Sequence, residues 1–250
     1  MNYIEYGKDN AEVIMLLHGG GLSWWNYREA AKILSARYRV ILPILDGHAE
    51  SDLDFTTIED NALEIINFID TKFGGSIALL AGVSLGAQIA LEILSLKSTI
   101  CRFALIESAL VKPMRIAASL ICPMINLSYG LIKRKWFSKL QFKSLKIKEE
   151  LYSDYFKDTC AITKKNMIAF LKANSSYKLK KQLADTEAEI YVFVGAKERK
   201  NMLSSAQTIC NTVKDSHLKI LKDRYHGEFS LNYAEEYAEK TDRILSGRLD

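Results

Sequence analysis

The 250-residue sequence predicts an α/β fold: a mostly parallel central sheet with helices on both faces and an inserted helical cap. Three observations carry this. Short continuous apolar runs alternate with stretches of helical spacing over the first 109 residues and again after residue 182, as buried parallel strands and their crossover helices do. Residues 110–182 contain no convincing strand and read as helices. Gly82-Val83-Ser84-Leu85-Gly86 stands between an apolar run and a helical stretch, a strand–turn–helix context. The expected division is therefore a core of residues 1–109 and 183–250 and a cap of residues 110–182.

In chain order, Tyr3–Tyr6 reads as a short antiparallel edge strand. Val13–Leu17 is an apolar strand ending in His18-Gly19-Gly20-Gly21. Trp24–Tyr38 has helical spacing. Arg39–Leu45 is a second core strand, closed by Asp46-Gly47-His48. Thr56–Phe73 is amphipathic, with Ile58, Ala62, Ile65, Ile66 and Ile69 on one face. Ile77–Ala81 is the third core strand, Leu85–Leu96 the next helix, and Cys101–Ile106 another strand. After the cap, Glu189–Val194 and His217–Leu221 read as strands, and Met202–Val213 and Leu231–Leu245 as helices. The sequence shows no internal repeat and no low-complexity tract.

At 48% hydrophobic the chain can bury a substantial core, and its net charge of +4 does not by itself imply nucleic acid. Cys101, Cys122, Cys160 and Cys210 are widely spaced, which argues against a zinc site and a disulfide framework. The first residues carry no secretory pattern, so a cytoplasmic location is expected. Ile116–Ile132 holds no charge, but it is short for a membrane span and is interrupted by Pro123, Asn126, Ser128 and Gly130. A buried or pocket-lining helix is the favoured reading, and an interfacial membrane helix the less favoured one. Residues 112–181 hold 16 Lys+Arg against 4 Asp+Glu, a net +12 that leaves −8 for the rest. Such charge is read first as a solvated face, then as attraction for anionic substrates or phospholipid headgroups.

The candidate chemistry is nucleophilic. A serine on a sharp turn at a strand end presents its hydroxyl, but a hydroxyl needs a base, and the base an orienting carboxylate. Of the four histidines, His226 lies between the last strand and the last helix, where strand carboxyl ends gather ligand chemistry, and is the expected base. His18 is read as orienting its loop. Glu198, after the strand Glu189–Val194, is the expected carboxylate. Glu107 is its rival, and Asp223 is too near His226 in sequence. The Leu85 amide and a glycine-loop amide, Gly20 before Gly21, are the expected oxyanion donors. Gly21, Trp24 and Trp25 are candidate substrate-binding positions. The glycines match neither G-x-x-x-x-G-K-[ST] nor G-x-G-x-x-G, so nucleotide binding is discounted. No metal or organic cofactor is expected.

His18-Gly19-Gly20-Gly21, Gly82-Val83-Ser84-Leu85-Gly86, Glu198 and His226, in this order and context, resemble the α/β-hydrolase superfamily, its serine esterase and lipase members in particular. Leu42–Asp52 is similar to that family's D-x-P-G-H-G-x-S loop, with Asp46-Gly47 at the usual proline-glycine and Ala49 in place of a glycine. The resemblance spans nearly the whole chain. It implies nucleophile, acid and base roles for Ser84, Glu198 and His226, although glutamate is less usual than aspartate as the acid. A serine at this turn speaks against epoxide hydrolase and dehalogenase activity. The expected function is hydrolysis of small or medium apolar carboxylic esters through an acyl-enzyme. Thioester or C–C bond hydrolysis, or non-hydrolytic binding of a small ligand, are the alternatives.

Overall fold

The computed structural model describes residues 1–248. Its strands are β1 (Tyr3–Tyr6), β2 (Val13–Leu17), β3 (Arg39–Pro43), β4 (Ile77–Val83), β5 (Cys101–Glu107), β6 (Glu189–Gly195) and β7 (Ser216–Leu221). Its helices are α1 (Arg28–Leu34), α2 (Ile58–Phe73), α3 (Leu85–Leu96), α4 (Arg115–Ile132), α5 (Lys135–Ser144), α6 (Tyr152–Ala161), α7 (Lys164–Ser176), α8 (Lys200–Thr212), α9 (Glu228–Asn232) and α10 (Ala234–Leu245). The strands form one mixed sheet in the order β1-β3-β2-β4-β5-β6-β7. β1 runs antiparallel to β3, and the other neighbours are parallel.

The two-residue period of a strand supplies both faces of this sheet. Met15, Leu17, Leu80, Ile106 and Val192 point into one core, shared with Ile65 and Ile69 of α2, Leu91 of α3 and Ile209 of α8. Ile14, Leu16, Leu79, Ala81, Leu105 and Phe193 point into the other, against Ala31 of α1 and Tyr237 of α10. Runs without polar interruption are thus required in the central strands.

The chain passes from β2 outward to β3, then returns to place β4 on the other side of β2. The loops leaving β2 and β4 therefore diverge, opening a crevice at the strands' carboxyl ends. Here α3 starts with its backbone pressed on β2. A Cβ on Gly86 would lie 2.2 Å from the Leu17 carbonyl oxygen, so only glycine fits.

Several element ends differ from expectation. The helix expected over Trp24–Tyr38 begins as a 3₁₀ turn at Trp24–Tyr27 and stops at Leu34. β3 ends at Pro43 rather than Leu45: the Ile44 amide still reaches the Asn2 carbonyl in register with β1, and the Leu45 amide leaves the ladder for His18 Nε2. The expected helix Leu231–Leu245 is split at Tyr233, next to Asn232, whose side chain donates to the Lys146 carbonyl and accepts from the Lys148 amide. α2 starts two residues later than expected, at Ile58, with the Thr57 hydroxyl accepting from the Asp60 amide at 2.9 Å as its N-cap.

Helices α4 to α7 are inserted between β5 and β6. Both feet of the insert meet Gln88 of α3, one turn beyond Ser84. Gln88 Nε2 donates to the Leu110 and Asn174 carbonyls, and Asn174 Nδ2 donates back to Gln88 Oε1. The Met114 amide also bonds the Ser175 carbonyl at 2.8 Å. α4 corrects one expectation. Only 6% of it is buried, so it is neither a core helix nor an enclosed lining. Its inner side, Ile125 and Tyr129, packs on the core, and its outer side faces solvent.

Replacing Gly86 with Ala should destabilise the fold by about 3 kcal/mol or more, since backbone on both sides must yield. Urea denaturation measures this, and an unchanged midpoint would contradict the close approach.

Candidate active site

Ser84 follows β4 directly and has φ 53° and ψ −111°, a backbone region that favours glycine. Its amide is held by the Glu107 carbonyl at 2.9 Å, while its carbonyl already accepts from Gln88 to start α3. A residue so held between a strand and a helix projects its side chain away from both, into the crevice.

The loop after β7 brings His226 to it. His226 Nε2 lies 3.1 Å from Ser84 Oγ, and His226 Nδ1 lies 2.7 Å from Glu198 Oε2. The imidazole is 48% exposed, whereas the Glu198 side chain has no exposed surface. The loops carrying them are laced together. The Lys197 amide donates to the Arg224 carbonyl at 3.0 Å, and a Cβ on Gly195 would lie 2.2 Å from that carbonyl oxygen.

Glu198 Oε1 accepts from the Gly195 amide at 2.8 Å and from the Ser108 hydroxyl at 2.7 Å. Burial alone would raise this carboxyl. The hydrogen bond and charge of His226, with the Gly195 and Ser108 bonds, outweigh it and hold the group below its ordinary value. Ser108 also accepts from the Gly227 amide at 3.2 Å, so one hydroxyl fixes the carboxylate and the residue after His226. Glu107 serves elsewhere. It is buried and accepts from the Phe229 and Ser230 amides at the start of α9, and burial pushes it up to about 7. Asp223 pairs with Lys197.

The glycine loop faces Ser84 from β2. A Cβ on Gly20 would lie 3.5 Å from Leu85 Cβ, which sets the two positions side by side. Among the described residues, the Gly20 and Leu85 amides donate to no protein group. The Gly21 amide is committed, donating to His48 Nε2 at 3.0 Å.

His48 belongs to a reciprocal arrangement that sequence reasoning did not find. His18, in the glycine loop, accepts at Nε2 from the Leu45 amide of the loop after β3, and its Nδ1 faces the Gly19 carbonyl. His48, in the loop after β3, accepts from Gly21 and turns Nδ1 to the Asp46 carbonyl. A nitrogen facing a carbonyl must carry hydrogen and one facing an amide must not, so both rings are neutral Nδ1–H tautomers. Burial lowers His18 to about 3 and His48 to about 4.

Phe170 of α7 stacks on His48 with ring centroids 4.7 Å apart and would meet a Cβ on Gly20 at 3.3 Å, so the insert covers the glycine loop. In sequence Phe170 is one more apolar helix position. Trp25 is buried, and its indole N–H donates to Asp158 of α6 at 2.7 Å, tying the glycine loop's far end to the insert. Trp24 is half-buried, with the Arg28 guanidinium over its ring.

The model of the alpha/beta hydrolase family matches residues 14–239. The chain is similar to the magnesium-chelatase 30 kDa subunit of Rhodobacter capsulatus, 32% identical over 95 residues, which are 36% of this chain. It spans 34% of that relative's length. A thermophilic esterase from Thermogutta terrifontis superimposes with TM-score 0.81 at 15% identity, covering 99% of this chain and 93% of the esterase. MenH from S. aureus does so with TM-score 0.80 at 16% identity, covering 100% of both chains.

The buried neutral histidines give a pH signature. Above about pH 6.5 neither folded nor unfolded chain protonates them. As pH falls, the unfolded chain takes up protons that the folded chain refuses until about pH 4 for His48, so stability is lost in that window. His48→Gln removes this contribution, which for one such ring is about 2 kcal/mol at pH 5. Urea titrations at pH 7.5 and 5 should therefore show a smaller drop for the variant than for the parent chain. Equal drops would contradict a buried neutral ring.

Proposed function

Because the chain belongs to the alpha/beta hydrolase family, we propose that it is a serine hydrolase cleaving carboxylic esters of small or medium apolar acyl groups. The single observation that carries this reading is the continuous line of hydrogen bonds from Ser84 Oγ through His226 to Glu198.

The chemistry follows from that line. An ionised, buried Glu198 at Nδ1 fixes the tautomer with hydrogen on Nδ1, leaving the Nε2 lone pair for the Ser84 proton. Ser84 Oγ then bonds to the ester carbonyl carbon as its proton passes to His226. Negative charge develops on the carbonyl oxygen, and the amides of Leu85 and Gly20 are the donors for it, because Gly21 is spent on His48. His226 gives its proton to the departing alkoxide. Water, losing a proton to His226, attacks the acyl-enzyme and frees the acid and Ser84. Glu198 steadies the imidazolium in both halves.

Apolar side chains stand beside the loops that meet the serine. Leu22 lies beside Gly19, Leu231 beside Gly227, and Phe170 over Gly20. This supports an apolar acyl group over a charged one. Helices α4 to α7, through Phe170, act as the cap over the site in this reading.

Ser84→Ala should abolish turnover of p-nitrophenyl butyrate while retaining the parent chain's melting temperature. Retained turnover would remove the nucleophile. Glu198→Gln should lower kcat by roughly 10⁴, by loss of tautomer control. A loss under tenfold would remove the carboxylate from the relay.

A further inference from the structure

Helix α4 breaks the usual rule for an apolar helix in a folded domain. Ile116, Leu120, Met124, Leu127 and Leu131 recur at intervals of three and four and form one outward stripe, with Ile116 80% and Leu127 87% exposed. On α5, Trp136 and Leu140 stand outward beside Lys139 and Lys143, and Trp136 is 64% exposed. An outward apolar surface of this extent marks an interaction site.

Its rim is uniformly basic. Residues 112–148 contain nine Lys+Arg and no Asp or Glu. Elsewhere in the insert, lysines reach acids of the core: Lys157 pairs with Glu50, Lys165 with Asp54, and Lys180 with Glu59 and Glu92. Part of the insert's positive charge thus answers the negative core. Among the described residues, Lys133, Arg134, Lys135, Lys139 and Lys143 enter no such pair. Lys133 and Lys139 lie over the rings of Tyr129 and Tyr152.

We propose that the outer face of α4 and α5 docks on the headgroup region of an anionic phospholipid bilayer. Exposed leucines with a tryptophan and flanking lysines match an interfacial helix lying in the membrane plane. The unpaired cations meet anionic headgroups at its edge. At 18 residues α4 is at the lower limit for crossing a bilayer, and its inner side is committed to the protein, where the Tyr129 hydroxyl donates to the Ile162 carbonyl at 2.8 Å. It therefore lies on the surface. A second copy of this chain is the poorer occupant. A two-fold contact would set one all-basic rim against another.

The full chain, mixed with vesicles of phosphatidylcholine alone or with about one-fifth phosphatidylserine, tests this by co-sedimentation. Binding to the phosphatidylserine vesicles at physiological salt, weakened by high salt and much weaker on phosphatidylcholine alone, is the expected result. Lys135→Gln/Lys139→Gln/Lys143→Gln should weaken partitioning by roughly 100-fold, about fivefold for each charge lost at an anionic surface. Leu120→Ser/Leu127→Ser should also reduce it, and both variants should keep the parent melting temperature. Absence of binding, or equal binding to both vesicle types, overturns the proposal. So does sedimentation velocity showing a dimer that Leu120→Ser/Leu127→Ser dissolves. Vesicle binding needs no turnover, so its outcome is separate from that of Ser84→Ala.

Discussion

The site depends on the contact of the α3 backbone with the end of β2. At Gly86 there is no room for a single carbon between helix and strand. That approach puts the first amide of α3 next to the glycine loop and forces Ser84 into its unusual backbone conformation between them. Parallel strands with right-handed crossovers bring the remaining loops to the same rim. Residues as distant as 84, 198 and 226 can meet because the sheet's carboxyl edge is the only place where every loop involved ends.

Around this contact, polar groups are arranged in closed pairs. His18 and His48 each bond an amide of the loop that carries the other, so neither loop moves alone. Ser108 fixes both Glu198 and Gly227, and Glu107 secures the start of the following short helix. In a buried setting each of these bonds matters because losing one partner leaves the other unsatisfied. Of the three side chains in the Ser84–His226–Glu198 line, His226 is about half exposed, and Glu198 supports it from behind out of contact with water.

Much of this was legible in the sequence wherever local pattern and burial agree. Both ends of Leu85–Leu96 are legible because a glycine turn opens it and its apolar face is continuous. The convergence of Ser84, Glu198 and His226 followed from their places after strands. Other features depend on partners remote in sequence. Nothing near Ser108 or His48 announces which amide each will bond, and Phe170 resembles any core phenylalanine until α7 is laid on the glycine loop. The split at Tyr233 depends on Asn232 reaching residues 146 and 148. α4 differs from its apolar pattern because hydrophobicity signals burial only when something covers it, and composition does not say whether the cover belongs to the same chain.

The Gln88 anchor has a consequence for how this architecture can vary. Both ends of the α4–α7 segment are fixed by one amide side chain, so the path between them does not set the spacing of the sheet. The entropy of closing such an excursion grows only slowly with its length. The stretches between its contacts with the core, Trp25 to Asp158 and His48 to Phe170, could be lengthened or exchanged with little penalty to the sheet beneath. The excursion can then diversify while the hydrogen-bonded side chains on the sheet edge stay unchanged.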